Sequence, residues 1–339
     1  MKILAPICNL DSAILQIESG ANEIYISGDT DAFHTLTFSG RAKHNIKGER
    51  ICVNKQELKE IVDYSHSKNV SVMYTANLPF FADNISNEHD FRKGFLDYVS
   101  AGIEAGVDSI VISDLGAILL LNKENIIAHY TLSTYQETMN SNQLMFFQQL
   151  GIKRIVLSYH VTLDEIVEIA KNSPNMELEV FGHFGCSFYS DCNLKHGLGE
   201  RDYDCIGTPC RNYFQIYDEV EQLLFEGQIL NFSLACSICS LYTLMTNGIY
   251  ALKLVGRDMD MRQNAIITQV YSKALKYVEE SYERNYSKNC ILETLPQWWK
   301  KTLCERRQCK YLDNLITQSY VDKIKGDYHE KRDLHSFIN

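Results

Sequence analysis

Six of the chain's eleven cysteines lie between residues 186 and 239, spaced Cys186-x5-Cys192, Cys205-x4-Cys210 and Cys236-x2-Cys239. Thiolates that a loop can bring together are what a soft metal needs, and four sulfurs satisfy either tetrahedral zinc or a four-iron four-sulfur cluster. Zinc sites favour tight pairs such as CxxC, whereas the gaps within Cys186–Cys192 and Cys205–Cys210 are looser and uneven, which tilts the choice towards iron–sulfur. Any one of the six could instead be a plain buried thiol, because free Cys is among the most buried residue types. Cys8, Cys52 and Cys290 are read that way. Cys304-x4-Cys309, in TLCERRQCK, either forms a second site, supplies a ligand or does neither. Tyr189, Tyr203 and Tyr213 alternate with the cysteines, where aromatic rings either stack a planar substrate or shield the metal.

Further polar side chains close short apolar runs: Asn77, Asp114, Ser133, His160, His183 and Arg257. His160 and His183 could act as acid or base near neutral pH, or give a nitrogen to the metal; a hydrogen-bonded structural histidine is the plainer alternative. Asp114 fits a helix-start cap as well as a site role. Ser133 has no GxSxG context, and neither HExxH nor GxGxxG occurs. Cys186, near His183 in sequence, could be a nucleophile, but that use competes with ligation for one sulfur. Protease chemistry thus has no visible engine.

These residues can act together only if the chain brings them to one place, and one repeated signal says how. A helical pattern ends at Gly and a short β-branched run follows in Gly20-ANEIYIS, Gly106-VDSIVISD, Gly151-IKRIVLS and Gly248-IYALKLVG. Gly suits the left-handed residue that closes a helix, and the uniformly apolar run after it suits a strand buried on both faces. With Lys2–Ile7, Val70–Asn77, Ile127–Ser133 and Glu177–His183 the count is eight strands, separated by helical patterns such as Asn54–Lys68, His89–Ala105 and Thr162–Asn172. Eight such units predict an α/β fold, a TIM-like (β/α)8 barrel. The alternation is expected to break once, after Glu177–His183, where a Cys-rich insertion over 184–247 precedes the last strand. Residues 1–280 are expected to form the barrel with this insertion, and 281–339, charged and tyrosine-rich, a C-terminal helical appendage. In a barrel the insertion and the polar strand ends share the C-terminal face, where sites are built.

The order of several stretches is similar to peptidase family U32, the collagenase-like proteins, from residue 1 to about residue 275. They are APICNLDSAILQIESGANEIYIS, VMYTAN, VDSIVISDLGAILL, LSTYQETMN, GIKRIVLS followed by TLDEI, ELEVFGHFGC, PCRNY and ALKLVGR. The resemblance implies either proteolysis, as older members are named, or an iron–sulfur protein for oxygen-independent hydroxylation of ubiquinone precursors or RNA bases. In the second group four cysteines hold a four-iron four-sulfur cluster. By position the ligands fall on Cys186, Cys192, Cys205, Cys210 (of a Cys-Arg pair with Arg211) and Cys236, five candidates for four places, while Cys239 matches none. The first pair is one residue closer than in the family, with Asp191 where Gly precedes the second cysteine. Tyr159-His160 stands where the family reads Arg-Glu, and Val255 replaces a Glu on the last strand, so two habitual carboxylates are gone. The chain is also expected to lack the extra C-terminal domain of long members.

The leading expectation is therefore an iron–sulfur enzyme hydroxylating a small or planar organic substrate without molecular oxygen. A peptidase with zinc or no metal, and a non-catalytic iron–sulfur partner subunit in a complex, are the alternatives. A formal charge of −10 does not support nucleic-acid binding through the overall field, although a local basic groove stays open. The start, MKILAPICNL, does not resemble an export signal, and no run reaches the roughly 18 uninterrupted apolar residues of a membrane span. A cytoplasmic location is expected.

Overall fold

Gly20, Gly106, Gly151 and Gly248 all have φ between +78° and +99°, the left-handed conformation that ends a helix, and each is followed by a strand of one barrel. The computed structural model describes residues 1–33, 36–45, 48–78, 88–183, 214–217, 221–227, 235–256, 260–281, 288–304 and 309–311. Its strands are β1 (Lys2–Pro6), β2 (Glu23–Ile26), β3 (Ser71–Ala76), β4 (Ser109–Ile112), β5 (Tyr130–Leu132), β6 (Ile152–Val156) and β7 (Glu177–Phe181), then β8 (Phe214–Tyr217), β9 (Leu223–Gly227) and β10 (Ala251–Lys253). β1 to β7 follow one another round a closed parallel barrel, and β10 closes it between β7 and β1, with Lys2 opposite Ala251. β8 and β9 form a separate antiparallel pair inside the insertion. The eight-stranded barrel read from the sequence is the fold.

Helices fill the connections because their starts are written locally. Asn9, Asn54, Asp114, Asn140 and Thr162 each accept a hydrogen bond from a backbone N–H of the first turn that they cap. Asn54 with Glu57 and Thr162 with Glu165 complete reciprocal capping boxes. Alternate strand residues then face opposite ways. Ile3, Ala5, Ile24, Ile26, Val72, Tyr74, Ile110 and Ile112 join the core shared with the helices, while Leu4, Tyr25, Met73 and Val111 form a separate apolar cluster inside the barrel.

Much of the remaining interior is charged. Arg154 on β6, 3% exposed, donates to Glu23 at 2.6 and 3.1 Å and to Glu177 at 2.9 Å, and lies 3.6 Å from Glu179. Lys253 pairs with Glu179 at 3.0 Å and Lys2 with Glu23 at 3.1 Å. Burial alone would weaken the Arg154 cation, but its bonds to Glu23 and the charges of Glu179 and Glu23 more than offset this and hold it ionised.

Among the described residues the alternation is also interrupted earlier than the expected insertion. After β2 the chain runs to Lys55 before the next helix, tied by bridges at Gly28–Val53, Leu36–Ala42 and His44–Arg50. The apolar side chains of this excursion, Phe33, Leu36, Phe38, Ile51 and Val53 among them, keep no helical or strand period, so no pattern announces it. Phe38 packs among Phe33, Phe91, Phe95 and Tyr98 with centroids 5.1 to 5.7 Å away. The Tyr98 hydroxyl accepts from the Gly28 N–H at 2.8 Å and donates to the Thr75 carbonyl at 2.9 Å, fastening the excursion to β3. A Cβ at Gly28 would collide with the hydroxyl and ring of Tyr74, which stacks on Tyr98. Gly28→Ala is therefore expected to cost about 1–3 kcal/mol, read as a lower urea midpoint at unchanged slope.

The described part of the C-terminal stretch, within 288–311, packs into the core. Ile291, Leu295, Trp299, Leu303 and Tyr311 belong to the same buried cluster as the barrel helices, reached through short helices Lys288–Glu293 and Gln297–Trp299 and a π turn, Lys300–Cys304. No helix among the described residues is long and apolar enough to cross a membrane.

Candidate metal centre

The end of β7 is where the Cys-rich segment begins and where it returns. Gly182 donates to the Lys253 carbonyl at 2.8 Å, and its own carbonyl accepts from the Ser237 N–H and the Tyr271 hydroxyl. A Cβ at Gly182 would sit 2.8 Å from the Leu252 side chain, so Gly is what lets the strand end approach β10. The next residue, His183, forms an antiparallel bridge with Cys236. The segment thus leaves and rejoins the barrel at neighbouring backbone positions on the C-terminal rim. Cys186, Cys192, Cys205 and Cys210 lie outside the described residues, as does Arg257.

Cys236 is held from several sides. It is 8% exposed, its carbonyl accepts from the Lys310 N–H at 2.9 Å, and it bridges Cys309 in the other direction. Its sulfur lies 3.4 Å from the indole Nε1 of Trp299, which donates to it. Burial pushes the thiol up to about 12, while N–H donors from the Ile238 backbone and Trp299 pull towards the thiolate. Donors aimed at a buried sulfur suit a thiolate that a metal has deprotonated, so Cys236 fits a ligand role. Among the described residues no three His, Cys, Asp or Glu side chains come together as a cation site, although the Cys239 and Cys304 thiols lie close enough to act on Cys236, so a full ligand set would draw on residues outside the described ones.

His183 is fully buried beside Tyr271, whose ring centroid is 6.0 Å away, and burial pushes its imidazolium down to about 3. A ring that stays neutral is a nitrogen donor rather than a proton shuttle at neutral pH. His160 is exposed, edge-on to Tyr159. Asp114 takes the capping role, accepting from the Ala117 N–H at 3.0 Å. Ser133 is engaged by the Asn77 amide at 3.1 Å and the Tyr135 N–H at 3.4 Å, not by a histidine. The structure thus brings together His183 with Cys236, and Asn77 with Ser133, as two separate pairs on the rim.

Sequence reading missed the residues that cover Cys236. Lys310 lies with its amine 3.2 Å from the centre of the Tyr159 ring and donates to the Tyr159 carbonyl at 3.3 Å; burial pushes its ammonium down to about 7. Tyr311 donates to the Phe181 carbonyl at 3.1 Å. This C-terminal strap and Trp299 come from the tract read as an appendage. The available signal was the Trp298-Trp299 pair, an apolar patch in an otherwise charged tract shortly before Cys304 and Cys309.

The sequence matches the profile of peptidase family U32 over residues 8–314. The chain belongs to peptidase family U32. The match runs well past residue 275, where the resemblance was expected to stop, and takes in Trp299 and the 309–311 strap. This U32 chain is similar to tRNA hydroxylation protein P1 of Bacillus subtilis, 25% identical over 359 aligned residues covering 99% of the chain and 76% of that protein. It is also 26% identical to tRNA hydroxylation protein P of Helicobacter pylori over 299 residues, covering 81% of the chain and 64% of that protein. The chain spans only 35% and 54% of the proteins of that name from Haemophilus influenzae and Escherichia coli. Among solved structures, a U32 peptidase aligns with a TM-score of 0.46 at 13% identity, covering 76% of this chain and 94% of that one.

Proposed function

We propose that this U32 protein serves in the oxygen-independent hydroxylation of a base in tRNA, with a four-iron four-sulfur cluster held at the barrel rim. The ligands would be Cys236 and three of Cys186, Cys192, Cys205 and Cys210. The observation that carries the reading is the buried Cys236 sulfur, supplied with N–H donors and set beside the point where the Cys-rich segment leaves β7. The names of the relatives support the reaction class and the substrate. A tRNA base is a planar substrate of the kind the aromatic residues suit, although the polymer is far larger than a small molecule. Because the overall charge is −10, affinity for RNA would rest on local contacts at the rim rather than on the whole field.

When bound, such a cluster supplies one-electron chemistry at the rim. The chain's own residues would anchor and enclose it. Cys236 ligates, Trp299 and Ile238 hold its sulfur, and neutral His183 lies alongside. Lys310 and Tyr311, packed on Tyr159 and Phe181, keep water from that flank. On the other side of the rim the Asn77 amide oxygen is buried and has no hydrogen-bond partner among the described residues.

Protein purified without oxygen should be brown, with about four irons and four sulfides per chain. Expression in a host deleted for its own U32 hydroxylation genes should restore the hydroxylated nucleoside, measured by mass spectrometry of digested tRNA. A colourless, iron-free protein that keeps its fold, or cleavage of casein that survives chelation, would overturn this reading.

A further inference from the structure

The Trp299 indole is a donor with no acceptor capacity, and it is buried at 2% exposure, so its N–H must find a partner inside the protein. The partner is not a carbonyl or a carboxylate but the sulfur of Cys236, at 3.4 Å. The ring is fixed in that pose: Tyr271 meets it edge-to-face at 5.9 Å and 81°, Trp298 at 5.4 Å, and it lies in the core cluster just before the π turn. Trp298 is half exposed, so the two neighbouring indoles differ in the one property that matters, access to the sulfur.

Resting on the cluster reading above, we propose that Trp299 tunes the reduction potential of the group bound through Cys236 by donating its N–H to the ligating sulfur. Reduction adds one electron from an external donor, and the added negative charge is shared by the thiolate sulfurs. A hydrogen bond to a sulfur stabilises the reduced form more than the oxidised one and so raises the potential. The Ile238 amide acts in the same sense, but as backbone it cannot be varied separately; the indole is a side-chain donor that can be. Trp299 is a positioning residue: it touches the ligand and not the substrate.

The test uses the full chain, purified without oxygen as wild type, Trp298→Phe and Trp299→Phe, and titrated with dithionite in the presence of mediators while the reduced signal is followed by electron paramagnetic resonance. Phenylalanine keeps most of the ring and removes the donor. Trp299→Phe should retain its iron and show a midpoint shifted to more negative potential, while Trp298→Phe stays at the wild-type value. A merely structural role for Trp299 would lower stability and leave the midpoint where it is. Should Trp299→Phe fail to fold, the Trp298→Phe protein with 15N-labelled indole keeps the question answerable: the reduced cluster should show hyperfine coupling to the single remaining 15N among residues 298 and 299. Iron-loaded protein with an unmoved midpoint or no such coupling overturns the inference alone. Iron-free wild-type protein overturns the cluster reading together with it.

Discussion

Serine in place of Cys236 is expected to leave anaerobically purified protein with little of its iron and no brown colour, at near-normal folded yield. The effect should be close to complete because a serine oxygen is a hard, high-pKa donor that does not replace a thiolate on iron. The fold should survive because the swap is nearly isosteric and because the Cys236 neighbourhood is held by backbone bonds, from Lys310 to its carbonyl and across the bridge to His183, that serine leaves in place. The loss of the indole–sulfur contact is a smaller term, about 1 kcal/mol. The same substitution at Cys239 is the control. Cys239 shares the CxxC spacing but matches no ligand position of the family, so Cys239→Ser should keep its iron. Iron and sulfide analysis alongside circular dichroism separates loss of metal from loss of fold. Full iron in Cys236→Ser would remove Cys236 from the ligand set.

The second large effect lies inside the barrel and concerns stability. Arg154→Met removes the cation that faces Glu23, Glu177 and Glu179, leaving Glu23 and Glu179, at most 1% exposed, with Lys2 and Lys253 as their remaining cations among the described residues. Breaking a buried ion network in this way typically costs about 3–5 kcal/mol, a large part of the stability of an ordinary domain. Methionine fills much of the volume, so the loss reports uncompensated charge rather than a cavity. Adding Glu23→Gln to Arg154→Met should recover part of the loss, since one stranded carboxylate is then gone; the recovery, read from urea midpoints, measures the coupling directly. A cost under about 1 kcal/mol for Arg154→Met would mean that the charges are not mutually dependent.

The barrel was legible because its determinants are local. The four helix-closing glycines and the β-branched runs each act within a few residues of themselves, and all eight strands fall where those signals put them. The excursion after β2 was not, since Phe38 finds its partners on the helix that carries Phe91, Phe95 and Tyr98, and a scattered aromatic has no period of its own. Asp114 was legible in its capping role for the same reason that the helix starts were: cap and capped N–H are three residues apart. Cys236 stood out by type and position, but nothing near it in sequence says that Trp299 donates to its sulfur.

The amino-acid sequence by itself determined the eight βα units, the cysteine-bearing interruption before the last strand and the membership of the U32 family. Only the tertiary structure decided what surrounds the candidate metal ligand and what fills the barrel. Trp299 reaches Cys236 across 63 residues, Arg154 reaches Glu23 across 131 and Lys310 reaches Tyr159 across 151. The physical reason is one of range. Backbone conformation and capping are set by neighbours along the chain, whereas a buried donor, charge or ring is satisfied by whichever group the closed barrel brings beside it, and sequence distance carries no trace of that choice.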